Sequence, residues 1–170
     1  MIDYEQFLSQ SLSRKEIDFV ANDIHVSAGR MTEAVALLRH ENEKTARHAA
    51  WALEKLYERY PEDFDNQLFD TLAETIIETK NSSIRRLILS ILIIAPLPEN
   101  LPMKLVNSCF EWMMADESPV AVKVLSIYYL MNVCKREPDL ISELKLLTQQ
   151  LLETTDSAGV RAATRKVNLL

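Results

Sequence analysis

Glycine is nearly absent from this chain: two residues in 170, where average usage of ~7 % would supply roughly 12. Glycine provides positive-φ hairpin turns, tight strand connections and phosphate-cradling loops. Its scarcity argues against a β-rich fold and against a nucleotide-binding loop. Cysteine is equally scarce. Cys109 and Cys134 lie on different predicted helices without CxxC spacing, which reads as two buried, reduced thiols in a cytoplasmic protein. Long apolar runs are missing too. The longest, Leu87 to Ala95, is interrupted only by Ser90 and is about half of the ~20 residues a spanning helix needs, so no membrane association is expected. The opening MIDYEQFLSQ holds Asp3 and Glu5 and no apolar stretch, so no secretory signal is expected.

What is present is an ordinary globular composition, 48 % apolar and 26 % charged, in a length suited to one domain over residues 1–170. The formal net charge is −6. An acidic chain repels a phosphate backbone, which disfavours nucleic acid as a partner except at a local basic strip.

The most informative feature is a repeat of 38 residues. Ala46-Arg47, Ile84-Arg85, Val122-Lys123 and Val160-Arg161 are four apolar–basic pairs in one unbroken register, and constant spacing of this kind marks a repeat architecture. Upstream of each pair sits a helix-capping type: Asn42, then Asn81 with Ser82, then Ser118, then Asp156 with Ser157. Further upstream lies another apolar helix, over 31–38, 68–77, 105–114 and 140–152, and prolines mark the exits at Pro61, Pro96, Pro98 and Pro138. Each unit therefore reads as helix A, a polar turn, helix B and a proline-marked link, giving repeats over 30–67, 68–105, 106–143 and 144–170. Residues 1–29 fall outside this register and read as two capping helices over 3–11 and 14–26, the second opened by a Ser13/Glu16 capping box.

Helix B carries its core stripe at i, i+3, i+4 and i+7: Ile84, Leu87, Ile88 and Ile91 in the second unit, Val122, Leu125, Ser126 and Tyr129 in the third. One residue further round stand Trp51, Leu89, Ile127 and Arg165, and four residues later Lys55, Ile93, Met131 and Leu169. On an isolated helix this second column faces outward.

The apolar–Arg pair opening helix B, followed by small and apolar residues, resembles the HEAT-repeat family and the related armadillo-type repeats. The resemblance covers residues 30–170. It implies an all-α fold, a right-handed α–α superhelix of about four helical hairpins with N-terminal capping helices. In such a stack, as the resemblance implies, the ladder Arg47, Arg85, Lys123 and Arg161 pairs with acidic groups of neighbouring units, with Glu41, Glu117 and Asp156 as candidate partners. The outer face of helix B would line a concave surface. Trp51, Leu89, Ile93, Ile127 and Met131, with Arg47 and Arg86, are then the candidate partner-binding residues, read against the alternative that the apolar column is core.

The implied function is a non-enzymatic protein-interaction or scaffold module meeting a partner helix or acidic segment. Two alternatives stand beside it. One is self-association through the apolar strip. The other is a HEAT-like enzyme, a DNA glycosylase type using Trp51, Tyr128, Arg47 and Arg86, or a chromophore lyase type. No catalytic set is expected: GxSxG is missing, neither cysteine has a nearby histidine, and the paired acids fall in turns. No metal or cofactor is expected either. His40 and His48 stand eight apart rather than four, and His25 has no partner nearby in sequence.

Overall fold

Short polar residues before several apolar-periodic stretches (Asp3, Ser13, Asn42, Asp65 and Ser157) and prolines before others (Pro102 and Pro119) cut this chain into helices. The computed structural model describes residues 2–170, and among them every regular element is helical. The helices divide between a compact N-terminal unit running to Ile91 and a compact C-terminal unit from Leu92.

In the N-terminal unit these are α1 (Tyr4–Leu8), α2 (Arg14–Val26), α3 (Arg30–Ala36), α4 (Glu43–Arg59), α5 (Asn66–Glu78) and α6 (Ser82–Leu92), whose last residue belongs to the other unit. α2 starts where the capping box predicts, with the Ser13 N–H donating to the Glu16 carboxylate at 2.6 Å. α1 is shorter than the expected 3–11. The Asn42 side chain caps α4 by accepting from the Lys44 and Thr45 N–H groups, at 3.0 and 3.3 Å. Asn81 caps α6 in the same way, accepting from Ser83 and Ile84. α4 buries Ala46, Ala49, Ala50, Leu53 and Leu56 and packs on α1 and α2. Its small alanines let the neighbouring helices approach closely, and each fully buried leucine contributes about 1.5–3 kcal/mol. Tyr57, Phe64 and Phe69 close the α4–α5 link, with Tyr57 meeting Phe64 edge-on at 4.9 Å between ring centroids.

The C-terminal unit holds α7 (Met103–Met114), α8 (Val120–Arg136), α9 (Ile141–Thr154) and α10 (Ala158–Val167). α7 packs on α8, and α8 on α10. Pro119 stands at the N-cap position of α8, and the Ser157 hydroxyl accepts from the Val160 N–H at the start of α10.

The four B helices open at Glu43, Ser82, Val120 and Ala158, which keeps the expected register to within about one residue. Bonds between residues 38 apart follow it: Tyr60 Oη donates to Asn22 Oδ1 at 2.8 Å, and Lys166 Nζ donates to Tyr128 Oη at 3.3 Å. His25 and Asp63 are also 38 apart, at 2.8 Å, with the His25 ring stacked 3.6 Å from that of Tyr60. The C-terminal half of α2 bonds at this spacing to the link that follows α4, although the sequence pattern placed residues 1–29 outside the repeat.

Candidate functional site

The exposed sides of the B helices are the surfaces left after each hairpin has closed on its own core. Their apolar column is thinner than the sequence suggested. Leu89 and Ile127 are both fully buried, which removes the two central members of the expected partner-binding strip. The physical reason is the number of neighbours. α6 is approached by α5, through an Arg85 to Ile76 carbonyl bond, and by α4, through a Ser90 hydroxyl to Glu54 carboxylate bond of 2.8 Å. α8 is flanked by α7 and α10. A helix packed on two sides buries a wider arc than the stripe of an isolated amphipathic helix.

Trp51 is half-buried on α4, its ring tilted against His48 at 6.3 Å. Met131 is half-buried on α8. Ile93 is also half-buried, but it lies in the turn after α6, which ends at Leu92 rather than running on to Pro96. Beside it Ile94 is 71 % exposed. In the N-terminal unit the column is closed at Lys55, which is buried and held between the carboxylates of Glu54 and Glu58. Self-association through Leu89 loses its basis, because a fully buried side chain presents no surface.

Of the acidic partners expected for the basic ladder, Asp156 stands 4.0 Å from Arg161, within the same unit. Arg85 donates from Nη2 to the Thr79 carbonyl at 2.6 Å and from Nε to the Ile76 carbonyl at 3.4 Å, both at the C-terminal end of its own unit's α5. Arg161 donates to the Asp156 carbonyl at 3.0 Å, in the turn that opens its own helix. At Arg85 the guanidinium satisfies carbonyls at the end of α5 and offsets the negative end of its dipole. Arg47 and Arg86 are exposed, and Lys123 is half-buried.

Charge is sorted by helix. α6, α8 and α10 carry Arg85, Arg86, Lys123, Lys135, Arg136, Arg161, Arg165 and Lys166 and no carboxylate. α5 carries Asp70, Glu74 and Glu78 and no cation. In the C-terminal unit Lys135, Arg136, Arg165 and Lys166 are all exposed. Lys166 lies over the Tyr128 ring at 4.8 Å from its centroid, and Lys135 donates to Asn132 Oδ1 at 3.2 Å. The ladder read from the sequence holds Lys123 and Arg161 but not Lys135, Lys166 or Asn132. The available signal was the missing acid in three successive B helices.

The remaining polar groups serve structure. His48 is buried and donates from Nδ1 to the Leu8 carbonyl at 2.8 Å. Desolvation first, then the nearby Arg47 and Lys44, hold its pKa below the ordinary value, against the opposing pull of that hydrogen bond. Both cysteines are buried, and burial pushes the Cys134 thiol up, away from the thiolate a nucleophile needs. Among the described residues no group of three His, Cys, Asp or Glu side chains is placed to hold a metal ion. A cleft of about 230 Å³ at the A–B turns of the N-terminal unit is lined by Arg39, His40, Glu43, Lys80 and Asn81 among others. Arg39 bridges it to Glu78 at 3.1 Å. Among the described residues no helix is long and apolar enough to cross a membrane.

Tandem antiparallel helix pairs, capped at matched positions and repeating about every 38 residues, define an all-α repeat protein of the solenoid class. The chain belongs to the HEAT repeat domain family, whose model matches residues 4–169 and so takes in α1 and α2 as well as the later hairpins. No curated protein matches the chain, and no solved structure does. HEAT repeats generally mediate protein–protein interaction, and the family is typically a non-enzymatic scaffold.

Proposed function

We propose that this chain is a non-enzymatic interaction module that meets a partner protein on the exposed sides of its B helices, through an acidic segment of that partner. The observation that supports this reading is the sorting of charge. α8 and α10 carry six cations and no carboxylate, in a protein whose net charge is −6, and Lys135, Arg165 and Lys166 among them are exposed with no carboxylate paired to them among the described residues. A surface that departs this far from the sign of the whole molecule creates a local positive field, which raises encounter rates with acidic partners and disfavours basic ones. The half-buried Met131 of α8 adds apolar contact area of the kind that anchors interfaces.

The test is a quantitative comparison of proteins captured from the native host. Wild type is set against Arg165→Glu/Lys166→Glu, with Lys15→Glu on α2 as a charge-reversal control. The reading expects a defined set of proteins to disappear with the α10 reversal and to persist with the control. Identical recovery from all three proteins would overturn it.

A further inference from the structure

A shallow seam lies between α8 and α10. Gly159 backs onto the Val120 and Val124 side chains, whose methyl carbons would stand 3.7 and 3.8 Å from a β-carbon at that position. Two turns along, Lys166 meets Tyr128, with Nζ 3.3 Å from Oη. Val120, Val124 and Tyr128 are spaced i, i+4, i+8, and Gly159, Ala162 and Lys166 are spaced i, i+3, i+7, so each trio forms one stripe of its helix. The two stripes face each other along the seam, and the seam is open. Val120 is 48 % exposed, Gly159, Ala162 and Lys166 are exposed, and Val124 and Tyr128 are half-buried. Its floor is therefore small and apolar at one end and carries donors at the other.

We infer that this seam binds an extended acidic peptide segment of a partner protein, with its carboxylates on Lys166, Tyr128 and Arg165 and its small side chains over Val120 and Val124. The inference rests on the interaction reading above and adds a place and a chemistry to it. Lys166 uses one proton on the Tyr128 oxygen. The phenol proton and the other ammonium protons are left for an acceptor, and the ring under the ammonium fixes its position. At Gly159 and Ala162 nothing bulky keeps a partner backbone away. Acidic segments are held extended by their own repulsion, which suits a long, shallow seam.

Stabilisation of the helix dipole accounts for cations in the last turns, Lys135 and Arg136 on α8 and Arg165 and Lys166 on α10. It does not account for Lys123, which lies near the positive N-terminal end of α8, nor for first turns without a single carboxylate; Arg161, at the start of α10, is held by Asp156.

The experiment is a fluorescence-anisotropy titration of purified protein against a labelled alternating Glu/Ala peptide, with circular dichroism melts to confirm that each variant is folded. Wild type is expected to bind and to weaken steeply from about 10 mM to about 100 mM salt, as the Debye length falls from roughly 30 Å to roughly 10 Å. Arg165→Glu/Lys166→Glu is expected to lose about tenfold or more in affinity, and Tyr128→Phe a smaller factor. Gly159→Trp, which fills the seam, should block binding, whereas Gly159→Ala should preserve it. Equal weakening by Lys15→Glu on α2 would overturn the location. Equal binding of a Lys/Ala peptide would overturn the acidic chemistry, while leaving protein binding itself to be judged by the capture experiment. Displacement of the peptide by single-stranded DNA at much lower concentration would overturn the inference in favour of a nucleic acid.

Discussion

The two units of this chain treat polar groups in opposite ways. The N-terminal unit brings cations and an imidazole inside. Arg30 is buried against Glu33, Asp23, the Ile2 carbonyl and the Tyr4 ring. Lys55 is buried between two glutamates, and His48 is buried on the Leu8 carbonyl. In the C-terminal unit the buried polar side chains are hydroxyls: Ser126, Thr148 and Thr164. Thr148 and Thr164 bond back to carbonyls of their own helices, Leu144 and Arg161, while the cations stay outside. The division is one of burial rather than of pairing: both units keep exposed cations, Arg47 and Arg86 in one and Lys135, Arg165 and Lys166 in the other, and in the C-terminal unit Arg136 is held by the Pro98 and Glu99 carbonyls and Arg161 by Asp156. The functional reading rests on the exposed Arg165 and Lys166, whose helix carries no carboxylate.

The largest effect expected from breaking the contrast is a core truncation that ignores it. Leu53→Ala in α4 and Leu130→Ala in α8 each remove a fully buried side chain and should each destabilise by about 2–5 kcal/mol in chemical denaturation. Equal costs would show that apolar packing supports both units alike.

Next come the polar interiors. His48→Leu leaves the Leu8 carbonyl without its donor and should cost about 1–3 kcal/mol. The same residue gives the N-terminal unit a pH dependence. The folded imidazole has a lowered pKa, so the unfolded chain takes up a proton, below about 6.5, that the folded one resists. Its contribution is fully present above that pH and is lost as pH falls beneath it. His48→Gln should flatten the fall, measured as urea midpoint against pH. All three histidines, His25, His40 and His48, lie in the N-terminal unit, so no imidazole of the C-terminal unit adds to it.

Smaller changes follow at the buried hydroxyls. Thr45 Oγ1 and Ser126 Oγ are buried without a hydrogen-bond partner. Thr45→Val and Ser126→Ala should therefore be neutral or stabilising by about 1 kcal/mol, since only an unmet polar group is removed. A clear loss from Ser126→Ala would mean that the C-terminal core relies on polar contacts after all. The smallest change is Gly159→Ala. The added β-carbon meets only ordinary contacts, and alanine favours a helix by up to about 1 kcal/mol, which a thermal melt should register as a slight gain.

Much of this architecture was legible in the sequence because it is written in local signals. The apolar–basic pairs set the register, Asn42 and Ser157 cap the helices predicted for them, and the Ser13/Glu16 box starts α2. The site was less legible because exposure is decided by neighbours far along the chain. Leu89 and Ile127 look outward on a single helix and are buried once helices flank it on two sides. Ile93 looks helical, yet α6 stops one residue before it. The roles of Arg30 and His48 depend on Ile2 and Leu8, about 30 to 40 residues away, and no spacing rule announces such a partner. Arg85 and Arg161 were recognised as a ladder, but the carbonyls they bind belong to backbone geometry that residue types do not reveal.

The central claim, that the surface cations of the C-terminal unit are held for an acidic partner, is tested most directly by backbone amide chemical shifts. An isotope-labelled sample of the full chain would be titrated with the Glu/Ala peptide at low salt. The account predicts saturable shifts concentrated at 120–132 of α8 and 158–168 of α10, with α2 and α3 unmoved. Shifts spread evenly over lysines and arginines of both units, or none at all, would contradict it.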